Sequence, residues 1–508
     1  MKYIDNFLNK ITMYRIVLYS LVVLVAVAFL LGLFGILHLN PFLFLVGIIF
    51  IIAASVASNE IFAKVFNAQT NIESVYITAL ILALIIDPLA STKDVHFIAI
   101  AFWASVIATA SKYILAIGKK HIFNPAAIAV VITAFAMNLS ASWWIGTGVM
   151  LPAVFVCGFL ITRKTARGDL VWSFLISAFV VILGTKIADP GSIPNYFFMT
   201  LLNVPLLFFA TIMLTEPLTT PPTKFLRICY GVFVGILFAP FAHVGPITFT
   251  PELALVVGNI FSYIVSPKAK PILILRERIK LTPNIYDFIF EADKPFSFKP
   301  GQYLEWTLGH KKTDNRGNRR YFTIASSPTE ENIHLGVKFY DHSSSFKKTL
   351  LSMREGDGIV ATGLAGDFTL PKNKKEKLVF IAGGIGVTPF RSMIQYLLDM
   401  NEKRDIVFLY SNPTLNDIAY KNVFEDARTS LGLKVVYILT QEGHQAANPS
   451  YYFGRISGEM IAQAIPDFQE RHFYVSGTHN MVVTCDTELA KIGVKKSNVT
   501  TDFFPGFA

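Results

Sequence analysis

The stretch Lys377-Leu378-Val379-Phe380-Ile381-Ala382-Gly383-Gly384-Ile385-Gly386-Val387-Thr388-Pro389 decides how the second half of the chain folds. An apolar run of strand length meets a cluster of glycines, and Thr388-Pro389 opens a helical pattern. A second strand, Asp405-Ile406-Val407-Phe408-Leu409-Tyr410, follows that helix, and the alternation continues. Strand–helix–strand alternation implies a parallel sheet with helices packed on its faces. Glycines placed directly after a strand let phosphate groups approach backbone N–H groups and a helix N-terminus. A Gly-Gly-x-Gly by itself is weak, so its weight depends on what precedes it.

What precedes it, from about residue 272, is a series of short alternating runs separated by turns. Examples are Ile272-Leu273-Ile274-Leu275 and Tyr286-Asp287-Phe288-Ile289-Phe290, which read as an antiparallel β-barrel. The series includes Pro300-Gly301-Gln302-Tyr303 and Arg320-Tyr321-Phe322-Thr323-Ile324-Ala325-Ser326-Ser327-Pro328. It continues through Ser343-Ser344-Ser345-Phe346 to Gly363-Leu364-Ala365-Gly366-Asp367-Phe368.

The first half has a different chemistry. Of 508 residues 53% are hydrophobic and 16% charged, yet only 23 of the 80 Lys, Arg, Asp and Glu lie within 1–266. Apolar runs of roughly spanning size occur near 16–37, 41–58, 74–90, 96–117, 124–138, 143–161, 171–187, 196–215, 226–242 and 251–266. The expected architecture is therefore a polytopic α-helical membrane domain of about ten helices over 1–267. An antiparallel β-barrel over 272–372 and an α/β nucleotide-binding domain over 373–508 follow it. With the first segment inside, Lys2, Lys10, Arg15, Lys64, Lys112, Lys119, Lys120, Arg163, Lys164, Arg167, Lys224 and Arg227 fall on the inner side. Only Lys93 and Lys186 fall outside, which is the positive-inside pattern. An even count returns the chain to the cytoplasm at the linker Ser266-Pro267-Lys268-Ala269-Lys270-Pro271. The apolar run after Lys2, Lys10 and Arg15 has spanning length and no small-residue cleavage site, so no cleaved signal is expected. The expected location is a multi-pass position in the cell (inner) membrane. The net charge of +10 then reflects cytoplasmic loops in contact with the lipid bilayer, and no nucleic acid partner is expected.

Two short segments echo each other. One run ends Asp87-Pro88-Leu89-Ala90-Ser91-Thr92 and another Glu216-Pro217-Leu218-Thr219-Thr220-Pro221, five helices later and thus crossing in the opposite direction. That is the signature of an inverted repeat, in which broken helices meet near the midplane around a ligand. Asp87, beside Lys93 and Asp94, equally suits a headgroup position; Glu216 sits in a denser polar cluster beginning at Thr215. His121-Ile122-Phe123-Asn124-Pro125 opens another helix. Asn124 as N-cap with proline behind it is a complete structural explanation, but the same helix end offers N–H groups to a phosphate or flavin carbonyl. Cys157, Cys229 and Cys485 are too few and too scattered to ligate a cluster or structural zinc, so no metal is expected.

Over nearly all of 272–508 the ordered motifs, ending in Thr501-Asp502-Phe503-Phe504-Pro505-Gly506-Phe507, resemble the ferredoxin–NADP reductase superfamily. The resemblance implies an NAD(P)H-dependent, FAD-containing oxidoreductase. Arg320 would bind the FAD pyrophosphate within the motif that includes Tyr321, Phe322 would stack on the isoalloxazine, and Thr323 would sit near its N5. Ser344 and Ser345 would also contact the pyrophosphate. Gly383, Gly384, Gly386, Thr388 and Pro389 would line the nicotinamide nucleotide site with Ser476 and Gly477. Thr323, Ser476 and Phe507 are the implied catalytic positions, Phe507 covering the flavin's other face. Phe322 stands where the family usually has Tyr, and Ser476 where it usually has Cys. The loop Thr440-Gln441-Glu442-Gly443-His444 carries an acid and no Arg to receive a 2′-phosphate, which favours NADH over NADPH.

Over roughly 70–260 the motifs around Asn124-Pro125-Ala126-Ala127 and Thr215-Glu216-Pro217-Leu218-Thr219 resemble the B subunit of sodium-pumping NADH:quinone reductase and the D subunit of the Rnf complex. Those subunits carry FMN, often attached to Thr in Ser-Gly-Ala-Thr, a tetrapeptide absent here. The implied cofactor is a noncovalent FMN or riboflavin near Asn124, Thr215 and Glu216. Electrons would then pass from NAD(P)H through FAD to that flavin, and on to a quinone, a free flavin or another acceptor. Alternatives are a redox-driven ion or small-molecule transporter and a membrane-anchored reductase of a soluble partner. A homodimer is allowed. Haem-based electron transfer is disfavoured, because His38, His96, His121 and His243 lie near helix ends and none is paired on one helix.

Overall fold

The computed structural model describes residues 4, 7–8, 11–66, 72–117, 120–184, 191, 193–239, 242–266, 271–310, 314, 318–441 and 451–504. The chain divides into two units, Met1–Lys268 and Ala269–Ala508.

The first unit is helical: α1 (Met13–Leu33), α2 (Pro41–Val65), α3 (Ile72–Ile85), α4 (Val95–Ile114), α5 (Pro125–Met137), α6 (Leu151–Thr165) and α7 (Gly168–Gly184) come first. Then come α8 (Ile193–Asn203), the single turn α9 (Leu206–Phe208), α10 (Lys224–Leu237) and α11 (Pro251–Val265). A helix lies on each of the ten apolar runs, and several of these helices are shorter than a straight bilayer crossing needs. Among the described residues three helices (α1, α2 and α4) are long and apolar enough to cross a membrane. A fourth follows if Ile193–Asn203 and Leu206–Met213, bent by 62°, count as one span. The sequence shows the reason. Pro88 and Pro205 fall inside apolar runs, where proline cannot donate the helical bond, while Pro125 and Pro152 stand in the first turns of the helices they open. The run expected to begin at 143 is a single 3-10 turn at Trp144–Gly146, and its helix starts only at Leu151.

The order of elements repeats. Four helices, a tiny hairpin and a fifth helix with proline in its first turn occur over 13–137 and again over 151–265, counting the bent pair as one. The hairpins β1 (Ala116–Ile117) with β2 (Lys120–His121) and β3 (His243–Val244) with β4 (Ile247–Thr248) pair in the same two-residue register. Helices α7 and α10 approach closely because α10 presents glycines. A Cβ on Gly235 would lie 2.7 Å from the Phe174 carbonyl oxygen, and one on Gly231 2.9 Å from that of Leu170.

The second unit contains two sheets. β5 (Ile272–Thr282), β6 (Ile285–Ala292), β7 (Tyr303–Thr307), β8 (Arg319–Thr323), β9 (Ile333–Lys338) and β10 (Gly358–Ala365) form an antiparallel sheet in the order β8-β7-β10-β5-β6-β9. Ala325 N–H donates to the His334 carbonyl at 2.9 Å, bringing the chain after β8 against β9 and so joining the two edges. Trp306, Phe288, Phe290 and Phe346 fill the interior. Helix α12 (Ser345–Ser352) lies between β9 and β10.

The other sheet is wholly parallel, in the order β14-β13-β12-β11-β15-β16. Its strands are β11 (Leu378–Gly383), β12 (Ile406–Asn412), β13 (Lys434–Leu439), β14 (Tyr451–Phe453), β15 (His472–Thr478) and β16 (Val499–Phe504). Both faces are covered by apolar clusters, so the strands read as continuous apolar runs rather than alternating ones. Helices α13 (Thr388–Asp399), α14 (Lys421–Leu431), α15 (Gly458–Ala464) and α16 (His479–Lys491) make the crossovers. Burial of Cys485 pushes its thiol up to about 12, leaving it an inert packing group.

At the opposite end of the sheet from the glycine turn, Arg471 donates to Asp467, to Asp405 and to the Leu378 carbonyl. Arg471 and Lys377 hold the Asp467 carboxyl down to about 2, below its ordinary 3.8. A lowered folded-state value contributes stability above the ordinary value and loses it as pH falls toward 2. Asp467→Asn is therefore expected to shrink the drop in urea midpoint between pH 5 and pH 2.5. In the helical unit, Gly235→Val is expected to destabilise by about 1–3 kcal/mol through overpacking, read as a lower thermal midpoint in detergent.

Candidate functional site

Strand order reverses between β11 and β15: sequence neighbours run outward from β11 on one side, and β15 with β16 on the other. In an open parallel sheet the crevice outside the strands' carboxyl ends at such a switch point is where ligands bind. Gly383 ends β11, Gly384–Val387 form a 3-10 turn, and Thr388 with Pro389 begins α13. Ser476 and Gly477 lie on the adjacent β15, Ser476 opposite Ala382. The structure thus brings together Gly383, Gly384, Gly386, Thr388, Pro389, Ser476 and Gly477.

The glycines serve distinct ends. Gly384 has φ +53 and nothing within 4 Å of where a Cβ would be, so the turn is left-handed and borders open space. Gly386 is the opposite case: its Cβ would stand 2.5 Å from Gly477 Cα and 2.6 Å from the Ser476 carbonyl oxygen. The Ser476 hydroxyl is buried with no hydrogen-bond partner. An orphaned hydroxyl beside an open glycine turn fits a dinucleotide that would supply polar groups there.

The barrel's contribution lies on β8 and at the start of α12. Arg320 is buried, donates to the Arg319 carbonyl at 2.7 Å, and holds its guanidinium 5.3 Å from the centre of the Phe346 ring. Phe322 packs on the same ring at 5.9 Å, so Arg320 and Phe322 share one aromatic support. Thr323, buried, pairs with Tyr303. The Tyr321 hydroxyl donates to Glu305 and its ring meets Tyr303 edge-on. Ser344 is the N-cap of α12, its hydroxyl accepting from Lys347 N–H. Ser345 is more heavily engaged: its N–H donates to Asp314 at 2.8 Å, and its hydroxyl meets His310 Nε2 and Asp314 N–H, each at 3.0 Å. His310 and Asp314 were missed from sequence, since they lie in a polar segment with no periodicity to place them. Phe507 and the loop residues Glu442, Gly443 and His444 lie outside the described residues.

In the first unit the structure gathers Asn124, Thr215 and Glu216 on one cleft of about 620 Å³ counting the solvent at its mouth, with Tyr14, Ser74 and Thr78. Asn124 caps α5 through Ala127 N–H at 3.1 Å, its own N–H donates to Asn259 at 2.8 Å, and Asn259 donates to the Tyr230 hydroxyl at 3.0 Å. Glu216 faces His121 Nε2 at 3.2 Å and accepts from the Thr219 hydroxyl at 3.2 Å. The Thr215 hydroxyl donates to the Thr211 carbonyl. Just before these residues the helix carries a π-turn, Phe209–Met213, with Leu214 N–H reaching back five residues to Phe209; such bulges occur often at functional sites. Asp87, its echo, is exposed in the bend after α3. Lys112 reaches Ser74 and Thr78 at 3.0–3.2 Å and so borders the cleft, a role that its position at a helix end did not reveal. Among the described residues no cluster of three or more His, Cys, Asp or Glu could hold a metal.

Residues 380–487 match the oxidoreductase NAD-binding domain family. The reductase subunit of glycine betaine monooxygenase from Chromohalobacter salexigens is 29% identical over 203 residues, 39% of this chain and 54% of that protein. A flavohemoprotein from Bacillus cereus is 24% identical over 249 residues, 45% of this chain and 59% of that protein. The chain spans a little over half the length of these curated relatives. A solved FAD/NAD-binding domain of nitric oxide dioxygenase from Vibrio cholerae aligns over 46% of this chain and 98% of that chain, with 17% identity and a TM-score of 0.41. Sheet topology, the glycine turn at the switch point and the family match together show a ferredoxin-reductase-like NAD-binding module in the C-terminal unit, and the relatives that match it include a reductase subunit.

Gly386→Ala is expected to force β11 and β15 apart at the turn. Titration of the purified protein with NADH should show at least about tenfold weaker binding, since a neighbouring backbone cannot yield as a flexible side chain can.

Proposed function

We propose that the chain is a membrane-bound NAD(P)H-oxidising reductase. In this reading it passes electrons from the nucleotide through FAD in the C-terminal unit to a second flavin in the helical unit, and from there to a quinone, a free flavin or an extracytoplasmic acceptor. The observation that carries it is the pairing, within one unit, of an open glycine turn at the switch point with a barrel strand bearing Arg320, Phe322 and Thr323. Bound FAD supplies an acceptor for hydride. Arg320, beside the N-capped start of α12, suits a pyrophosphate, because a cation and a helix N-terminus both favour negative charge. Phe322, with its ring held against Phe346, would support a planar ring system, and Thr323 would present a hydroxyl at its edge. Gly383, Gly384, Gly386, Thr388, Pro389, Ser476 and Gly477 would receive the dinucleotide, the Ser476 hydroxyl gaining the partner it lacks. Phe507 is assigned to the flavin's other face by resemblance alone.

In the helical unit, the repeated element order supports an inverted repeat around the cleft that holds Asn124, Thr215 and Glu216. A noncovalent FMN or riboflavin suits it, with Glu216 and the Asn124 amide facing ring N–H and carbonyl groups. The three long apolar helices and the inward bias of basic residues support a multi-pass inner-membrane position with the C-terminal module in the cytoplasm. A second reading, a redox-driven ion or small-molecule transporter, is favoured by the Glu216–His121 pair beside the cleft, because ionisable groups at membrane depth commonly mark ion paths. On the remaining reading, reduction of a soluble partner, the helices serve only as an anchor.

Denaturation of the purified protein should release FAD and a second, chemically distinct flavin, one of each per chain; FAD alone would remove the membrane step. Hydrogen bonds to charged groups contribute about 1.5–3 kcal/mol. Arg320→Met should therefore weaken FAD retention by at least roughly tenfold and spare the second flavin, while Glu216→Gln should do the reverse. In proteoliposomes, NADH oxidation that is indifferent to sodium and to uncouplers would exclude the transporter.

A further inference from the structure

The chain just after β8 and the helix just after the glycine turn are stitched together by polar bridges, the central ones buried, that none of the roles above uses. Arg391 on α13 grips both oxygens of Glu330, with Nη2 to Oε1 at 2.8 Å, and its Nη1 also donates to the Ala325 carbonyl at 3.2 Å. The Ser392 hydroxyl donates to the Ser326 carbonyl at 2.6 Å, and the Thr329 hydroxyl to Asp399 at 2.5 Å. Glu330 in turn accepts from Ser327 N–H at 2.5 Å, which fixes the carboxylate that Arg391 holds. Arg391 is 6% exposed, and Ser326, Ser327 and Ser392 are wholly buried. Close by, Gly336 of β9 leaves no room for a side chain, since a Cβ would lie 2.9 Å from Thr388 Cγ2 and 2.6 Å from the Tyr420 hydroxyl.

The placement matters more than the energy. Ala325 stands two residues after Thr323, about 7 Å of extended chain. Arg391 stands three residues after Thr388, within one helical turn. The bridges therefore close a short circuit between the strand end assigned to the flavin ring and the turn assigned to the nicotinamide. Buried ion pairs add little net stability, because desolvation offsets most of their attraction, but a bidentate fork fixes geometry. Hydride transfer depends steeply on donor–acceptor placement, and about 1 Å of error can cost roughly 100-fold.

We propose that Arg391 is a positioning residue for hydride transfer, its clamp on Glu330 and Ala325 setting the separation between the Phe322–Thr323 strand end and the Gly383–Gly386 turn. This rests on the reading of the C-terminal unit as the site of hydride transfer between nicotinamide and FAD. The test is anaerobic stopped-flow reduction of the full-length FAD-loaded protein by NADH, with rates normalised to bound FAD. Arg391→Lys keeps the charge and loses the fork. It should lower the limiting reduction rate about 10- to 100-fold, weaken the long-wavelength absorbance of nicotinamide–flavin contact, and leave the NADH dissociation constant within about threefold. Ser392→Ala, a milder change that removes one bridge, should lose roughly two- to fivefold in the same rate. A rate per bound FAD that stays unchanged while only the thermal midpoint falls would overturn the proposal. If Arg391→Lys does not fold, an unchanged rate in Ser392→Ala overturns it alone. Wild-type protein that binds no FAD, or holds FAD that NADH does not reduce, would sink the underlying reading and this one together.

Discussion

Where β11 and β15 end side by side, Gly386 sits so close to Gly477 that a single methyl group would stand 2.5 Å from its Cα. Much of the C-terminal unit is arranged around that approach. The parallel sheet reverses its order there, so the crevice opens at that point. Gly384 beside it, lacking a Cβ, turns left-handed into open space. The Ser476 hydroxyl is buried there without a partner. A tight backbone contact and an unsatisfied polar atom side by side are what a packed protein tolerates when a ligand completes the site.

The helical unit meets a different constraint with the same logic. Several of its helices are short, and each helix end leaves N–H and C=O groups that need partners where the end is buried. Asn124, Asn259 and Tyr230 form one line of such partners at the start of α5, and Glu216, Thr219 and His121 form another after the π-turn. Both lines lie at or beside one cleft, lined by Asn124 and Glu216. Helix ends and a polar cleft are thus one feature: the interruption of a helix creates the groups that can hold a ligand.

Much of this was legible in the residues. The strand–glycine–helix pattern at 377–389 placed the parallel sheet, because it is followed by further strand–helix alternation and preceded by the barrel's motifs. Arg320, Phe322 and Thr323 could be placed on one short strand, and Asn124, Thr215 and Glu216 on helix ends, from local spacing alone. The lengths of the helices in the first unit were less legible, since hydropathy averages over a proline that stops a helix. The 3-10 turn at Trp144–Gly146, where a helix was expected from 143, shows that limit.

Local sequence carries backbone preference and the alternation of buried with exposed positions, and those fixed the sheet types and the glycine turn. It carries no record of which distant side chains meet. That Asp314 would reach Ser345, Lys112 would reach Ser74 and Thr78, and Arg391 would bind Glu330 across 61 positions depended on how finished elements pack. Such contacts form only once burial has removed water from both partners, so the folded chain alone could decide them.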